Sequence, residues 1–276
     1  MTRLAELEGR IGAMTELQGI VGAMRSLAGM RLREAQRGLP AVRRYEESME
    51  AAVGAAARLA PDDLTPPSAG GPRALILCTA EHGFAGGFNE RILDSVTPRP
   101  FDALFILGTR GAAKAMERGW PIAWSGPMAS RPDGAIETVR RLEIRVFEWV
   151  AAGKGTSVTV TFARSHAGES TIEHRPILPL DLPALASAAP PWAPLHNLPP
   201  ADLLRQVIAE HVFALLTGAA VESIASENAA RFAAMEAAHD SLTRRIGALR
   251  GEASQARQEE ITTELLDLVT GVEAQA

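Results

Sequence analysis

SLTRRIGALRGEASQARQEEITTELLDL, residues 241–268, decides the fold. Leu242, Ile246, Leu249, Ala253 and Ala256 recur at alternating steps of four and three, and a five-residue step then leads to Ile261, Leu265 and Leu268. This spacing lays an apolar stripe along one face of an α-helix, the pattern of a coiled-coil seam. No proline occurs from Ala201 to Val269, so the spacing predicts one helix through the segment 201–276. At 1.5 Å per residue, about 70 residues would reach roughly 100 Å, several times what a small domain needs.

A stripe of that length needs a partner, and the opposite end of the chain supplies one. Residues 1–60 read as a second helical tract, with Leu4, Leu7, Ile11, Met14, Leu17, Val21, Met24 and Ala28 at the same alternating steps. The economical way to bury both stripes is against each other, antiparallel. Pro40 lies inside this tract and removes a backbone donor while crowding the preceding turn, so a kink or break is expected near Leu39. The tract stops at Pro61, where PDDLTPPSAGGP reads as a linker.

Between the two tracts, over 73–182, the pattern changes to short apolar runs: RALILCT, FDALFIL, WPIAW, TSVTVTF and the weaker TIEHRPILPL. These read as strands, with helical patterns around 110–118 and 136–151 between them. Such alternation predicts a mainly parallel sheet covered by helices. PALASAAPPWAPLHNLPP, 183–200, reads as a second linker. The expected fold class is therefore α/β: a Rossmann-like domain inserted between N- and C-terminal helices that form a long antiparallel coiled coil.

Composition narrows the function. The formal charge of -5 argues against a nucleic-acid partner, since such proteins carry a basic excess on at least one domain. Cys78 is the only cysteine, which excludes an internal disulfide, and its place at the end of ALILC reads as a small core residue. The opening MTRLAELEGRIG mixes charges where a signal peptide needs an apolar stretch. No run approaches the roughly 18 apolar residues of a membrane helix, so no direct membrane insertion is expected.

Catalytic signatures fail on spacing. EHGFAGGFNE places Gly83, Gly86 and Gly87 after a strand, but a dinucleotide fingerprint needs G-x-G-x-x-G, and two residues separate the first pair. A tight strand-to-helix turn explains them. Gly153-Lys154-Gly155-Thr156 lacks the upstream glycine of a Walker A loop, because Glu148 holds that place, and a strand follows. His82, His166, His174, His196, His211 and His239 offer no H-E-x-x-H and no cysteine partner, and read as scattered surface residues. There is no G-x-S-x-G elbow, and the pairs Asp62-Asp63 and Glu259-Glu260 lie in a linker and along a helix. The expectation is a chain with no catalytic residue, no cofactor and no metal. Charge is more telling. Within 22–44, Arg25, Arg31, Arg33, Arg37, Arg43 and Arg44 face Glu34 alone, which fits an acidic protein surface as partner; 201–276 carries six arginines against twelve acidic residues.

Three stretches carry a family resemblance. IVGAMRSLAGMRLREAQ (20–36), HGFAGGFN (82–89) and SENAARFAAMEAAHDSLTRRIGALRGEASQARQEEITTELLDLVTGVEA (226–274) are similar to the γ subunit of bacterial F-type ATP synthases. The resemblance covers both helices well and the middle domain loosely. It implies a noncatalytic rotor subunit whose two helices form an asymmetric shaft inside the F1 head of alpha and beta subunits. It further implies that the α/β lobe meets the epsilon subunit and the c-ring of F0, at the cytoplasmic face of the bacterial inner membrane.

Residue by residue, the match implies that Met24, Arg25 and Arg33 lie at a lower contact with the catalytic subunits, and Arg257, Gln258, Thr262 and Glu264 at an upper one. Leu242, Ile246 and Leu249 would form the torque-bearing seam. The family's lysine-rich flank is replaced here by Gly22, Gly29, Met30 and Arg33, and each glycine softens the helix by up to about 1 kcal/mol against alanine. The drift leaves open a divergent second F-type ATPase, whose coupling ion the c-ring selects. The residue pattern alone also leaves open a Rossmann-like enzyme with helical oligomerisation arms, or a scaffold coiled coil.

Overall fold

The computed structural model describes residues 3–59, 71–96, 101–166, 169–189 and 194–273. The order of elements is α1 (Arg3–Ala57), β1 (Arg73–Cys78), α2 (Phe88–Ser95), β2 (Ala103–Leu107), α3 (Thr109–Glu117), β3 (Ile122–Gly126), α4 (Pro132–Ala151), β4 (Ser157–His166), β5 (Glu169–Leu178), α5 (Leu182–Ala188) and α6 (Pro200–Glu273). The chain packs as two compact units: Met1–Leu27 with Phe232–Ala276, and Ala28–Arg231.

In the second unit five strands form one sheet in the order β3-β2-β1-β4-β5. β1 pairs parallel with β2 and β4, β2 parallel with β3, and β5 antiparallel with β4. Alternation along β1 separates two cores. Ala74, Ile76 and Cys78 face a layer made of α1, α4 and α6, where Leu142, Val146, Phe162, Val212 and Leu216 are buried. Leu75 and Leu77 face the opposite layer, with Phe88, Ile92 and Leu93 of α2 and Ala112 and Ala115 of α3. Both faces of β1 and β2 are thus covered, which is why those strands read as unbroken apolar runs.

Pro40 does not break α1, which runs on to Ala57. The expected break is corrected by position. Pro40 and Gln36 are both exposed, so the carbonyl that loses its donor faces water, while Leu39 and Ala35 are buried in the sheet-facing layer. The expected first linker falls largely outside the described residues. The second is not all loop: α5 forms within it, started by Asp181, whose side chain accepts the Ala184 N–H at 3.0 Å.

One reading about apolar runs also changes. α6 contains a window long and apolar enough to cross a membrane by length and composition, but 72% of that window is buried inside the protein. It is the helix that passes under the sheet, with Val212, Phe213, Leu216, Ala219, Val221 and Ile224 buried.

In the first unit the two helices run antiparallel. Cross-helix pairs descend along α6 as they ascend along α1: Arg3 with Glu259 at 3.8 Å, Glu8 with Arg257 at 2.7 Å, Gln18 with Thr243 at 2.8 Å and Arg25 with Glu236 at 3.3 Å. Beneath them Leu7, Leu249, Ala253 and Ala256 are buried, with Leu4, Ile11 and Met14 packed against them. Exposed ion pairs contribute about 0–1 kcal/mol each, against about 1.5–3 for a fully buried leucine, so the seam holds this unit together.

Candidate functional site: a shaft seam and a filled crevice

The seam follows a strict seven-residue repeat more closely than it follows hydrophobicity. On α1 the repeat passes through 4, 7, 11, 14, 18, 21 and 25, so Gln18 and Arg25 stand where an apolar reading chose Leu17 and Met24. Leu17 is 46% exposed, a correction to the expected stripe, whereas Gln18 is half-buried and bonded across to Thr243. On α6 the repeat runs through Met235, His239, Leu242, Ile246, Leu249, Ala253, Ala256 and Glu260. Ile246 and Leu249 are buried and Leu242 half-buried. After Ala256 the apolar residues step off the repeat: Glu260 is half-buried, while Ile261, Leu265 and Leu266 are exposed.

The residues assigned to partner contact divide by exposure. Arg33, Arg257, Gln258, Thr262 and Glu264 are exposed, and Met24 and Arg25 are half-buried. Arg25 is committed to Glu236, Arg257 donates to Glu8, and the Thr262 hydroxyl donates to the Gln258 carbonyl at 2.8 Å. Of the basic stretch, Arg43 is also committed, to Glu222 at 2.6 Å. Arg33, Arg37 and Arg44 are exposed at helical spacing on one face of α1, and make no ion pair among the described residues. Of the six arginines of this stretch, Arg25 and Arg43 are paired, Arg31 is half-buried, and the other three form one exposed basic face.

In the α/β unit, ligands of such sheets bind at the carboxyl ends of the strands where the strand order reverses, here between β1 and β4. That crevice is filled from within. The last parallel pair is Leu77 with Thr161. Beyond it α6 takes the carbonyls left over: Ser223 donates to the Cys78 oxygen at 2.9 Å and Ser226 to the Ala163 oxygen at 3.0 Å.

The glycine loop after β1 is likewise held rather than open. Arg231 donates from Nε to the Gly83 oxygen at 3.1 Å and from Nη2 to the His82 oxygen at 3.2 Å, and it pairs with Glu227. The N-terminus of α3, an anion site by its free N–H groups, is capped by Glu81, whose carboxylate accepts from the Thr109 N–H at 3.1 Å and the Met128 N–H at 2.9 Å. The glycine cluster therefore presents carbonyls to a guanidinium, the reverse of a phosphate cradle.

Ionisable groups in this unit serve packing. Arg175 pairs with Glu173 at 2.8 Å and with Glu46 of α1 at 3.4 Å, and Arg164 reaches Glu222 at 3.7 Å. Gly218 leaves room for Glu46, since an added Cβ there would meet its Oε1 and the carboxylate would have to swing aside. Burial raises the carboxyl of Glu46, with Arg175 pulling it back. Burial also pushes the Cys78 thiol up to about 12, in line with a core residue. His211 overturns the reading of scattered surface histidines: it is buried, and burial lowers its pKa. No cluster of His, Cys, Asp or Glu able to hold a metal occurs among the described residues.

The polar face Ser223, Ser226, Glu227 and Arg231 was missed in the sequence. Its signal was available: polar residues at helical spacing inside an otherwise apolar, proline-free tract have to bond to something fixed.

Comparison with known proteins agrees with this geometry. A family model described as ATP synthase matches residues 3–275. The ATP synthase gamma chain of Thermobifida fusca is 30% identical over 273 residues, covering 90% of this chain and 88% of its own. That of Fuscovulum blasticum is 29% identical over 307 aligned residues, covering 99% and 100%. Among solved structures, the Euglena gracilis mitochondrial ATP synthase, OSCP/F1/c-ring, matches in fold with a TM-score of 0.65 at 13% identity, covering 99% of this chain and 94% of that one. The central stalk/c-ring structure from Tetrahymena thermophila gives 0.55 at 18% identity, covering 79% and 99%. The chain belongs to the ATP synthase gamma-chain family.

Proposed function

We propose that this chain is the rotor shaft of an F-type ATP synthase, carrying work between an ion-driven ring and the catalytic head. The observation that carries the reading is the antiparallel seam of the first unit, a stiff two-helix element flanked by cross-helix pairs from Arg3–Glu259 to Arg25–Glu236. The chemistry of synthesis and hydrolysis then belongs to partner subunits. Self-filling of the crevice supports a noncatalytic role, because Ser223, Ser226 and Arg231 already stand where a nucleotide would lie.

The partners are the alpha and beta subunits of the F1 head, the epsilon subunit and the c-ring of F0, with the chain peripheral to the cytoplasmic face of a bacterial inner membrane. Arg33, Arg37 and Arg44 offer a basic face to an acidic surface of a catalytic subunit, and Met24 makes a separate apolar contact with it. Arg25 acts by holding the two shaft helices in register through Glu236. Arg257, Gln258, Thr262 and Glu264 meet the head near the end of α6. Shaft asymmetry follows from the unlike exposed apolar residues of the two helices, Leu17, Ile20 and Leu27 on α1 against Ile261, Leu265 and Leu266 on α6, so a turning shaft shows each catalytic site a different surface in turn.

The test is recovery of a tagged chain from its native membranes. Alpha- and beta-type subunits in the eluate, together with ATP hydrolysis, support the reading. Recovery of the chain only as a homo-oligomer would favour a scaffold coiled coil, and tight ATP or NAD binding to the isolated chain by titration calorimetry would favour an enzyme.

A further inference from the structure

We propose that Ser223, Ser226, Glu227 and Arg231 form a torque lock: they fix α6 against turning about its own axis within the α/β unit, and act as positioning residues for coupling. The inference rests on the rotor reading above and adds the place where work enters the shaft helix.

Apolar packing is non-directional, so it resists separation of a helix from a sheet far better than it resists rotation of that helix in place. On this stretch the large buried side chains Val212, Phe213, Leu216, Val221 and Ile224 are interspersed with Ala214, Ala219, Ala220 and Ala225, whose short side chains offer little to interlock. Directional bonds to atoms fixed elsewhere add the angular precision that packing alone does not define. Ser223 and Ser226 supply two, to main-chain carbonyls of Cys78 and Ala163 at the ends of the central strands. Arg231 supplies two more, to the carbonyls of His82 and Gly83. None of these four acceptors can follow a turning helix without distorting the sheet or its first loop.

Arg231 is itself braced. Its Nη1 donates to the Asn228 side-chain oxygen at 3.1 Å, and Glu227, one turn earlier, takes Nη2; the three side chains are all nearly inaccessible to solvent. The planar guanidinium engages the loop and its own helix at once, which the point charge of a lysine cannot do. A buried ion pair adds little net stability because its desolvation offsets its attraction, so such a pair is better suited to fixing position. Arg231 is also the last residue of this unit before α6 continues, still helical, into Phe232. Work delivered to the sheet therefore passes into α6 before the helix leaves it.

The experiment uses the assembled complex in native membrane vesicles and measures ions pumped per ATP hydrolysed, with angular fluctuation of a bead tethered to the α/β unit as a second readout. The variants are Ser223→Ala with Ser226→Ala, Arg231→Lys and Arg231→Met. Charge-assisted bonds are the stronger ones, so the expected order of coupling loss is Arg231→Met, then Arg231→Lys, then the serine pair, with about a threefold loss in Arg231→Met. Hydrolysis and subunit recovery should stay close to wild type, and bead fluctuation should widen in the same order. Unchanged coupling and fluctuation in the serine pair and Arg231→Lys overturns the lock. So does a parallel fall of coupling, hydrolysis and assembly in every variant, which marks a purely structural role. If Arg231→Met does not assemble, the serine pair and Arg231→Lys decide the matter. A wild-type complex that hydrolyses ATP without pumping would sink the rotor reading instead, an outcome separate from failure of the lock.

Discussion

At the scale of single residues, burial decides chemistry. Cys78 sits in the sheet core with its thiol pushed up to about 12, so it stays protonated and unreactive across the working range. Iodoacetamide at pH 8 is expected to leave the native chain unlabelled and to label it fully in urea; labelling at equal rates in both would place Cys78 outside the core. Glu143 gives a pH prediction with a definite sign. Burial raises its carboxyl above the ordinary value, with Arg140 opposing. A raised folded pKa means that its contribution is most favourable at low pH and is lost as pH rises through the folded value. Glu143→Gln should therefore raise the Tm at pH 7, with the gain shrinking toward pH 4. Arg140 is not orphaned by the change, because it also reaches Glu210 at 3.6 Å and stacks 3.8 Å from the Phe213 ring centroid. A lower Tm at pH 7 would show that the Arg140 pair outweighs desolvation. Cys78 was legible from its apolar run. His211 was not, because a lone histidine on a helix looks the same in sequence whether it faces solvent or core.

At the scale of elements, the seam and the proline make separate tests. Ile246 is buried between the two shaft helices, and a carboxylate there loses hydration without compensation. Ile246→Asp is expected to loosen the coiled coil locally and to depress ion-driven synthesis further than ATP hydrolysis. Ile246→Leu keeps volume and should cost under about 1.5 kcal/mol. Assaying both activities on the same membranes checks this; a proportional fall in Ile246→Asp would show the seam is not the transmission element. Pro40→Ala should stabilise the chain by about 1–2 kcal/mol, because it restores a helical hydrogen bond at a cost only in unfolded-chain freedom. A lower urea midpoint for that variant would mean that Pro40 packs usefully. Strands and long helices were legible because the central strands are short unbroken apolar runs, buried on both faces, whereas the helices repeat at steps of three and four. The seam's register was misread at Leu17, since hydrophobicity alone cannot tell a heptad position held by Gln18 from its apolar neighbour. The crevice was hidden because α6 meets β1 across 145 residues of chain and β4 across 63.

At the scale of the whole molecule, the proposed rotor gives one chain two mechanical tasks: an α/β unit that receives work, and a two-helix seam that conveys it. The first is met by directional bonds from Ser223, Ser226 and Arg231 to fixed carbonyls, the second by the apolar seam of Leu7, Leu249, Ala253 and Ala256. The direct measurement is rotation. With the catalytic head immobilised and a probe fixed to the α/β unit of this chain, ATP is expected to drive sustained turning in one direction that stops when ATP is removed. A complex that hydrolyses ATP at an undiminished rate while the probe stays still, or only jitters without direction, would contradict the account.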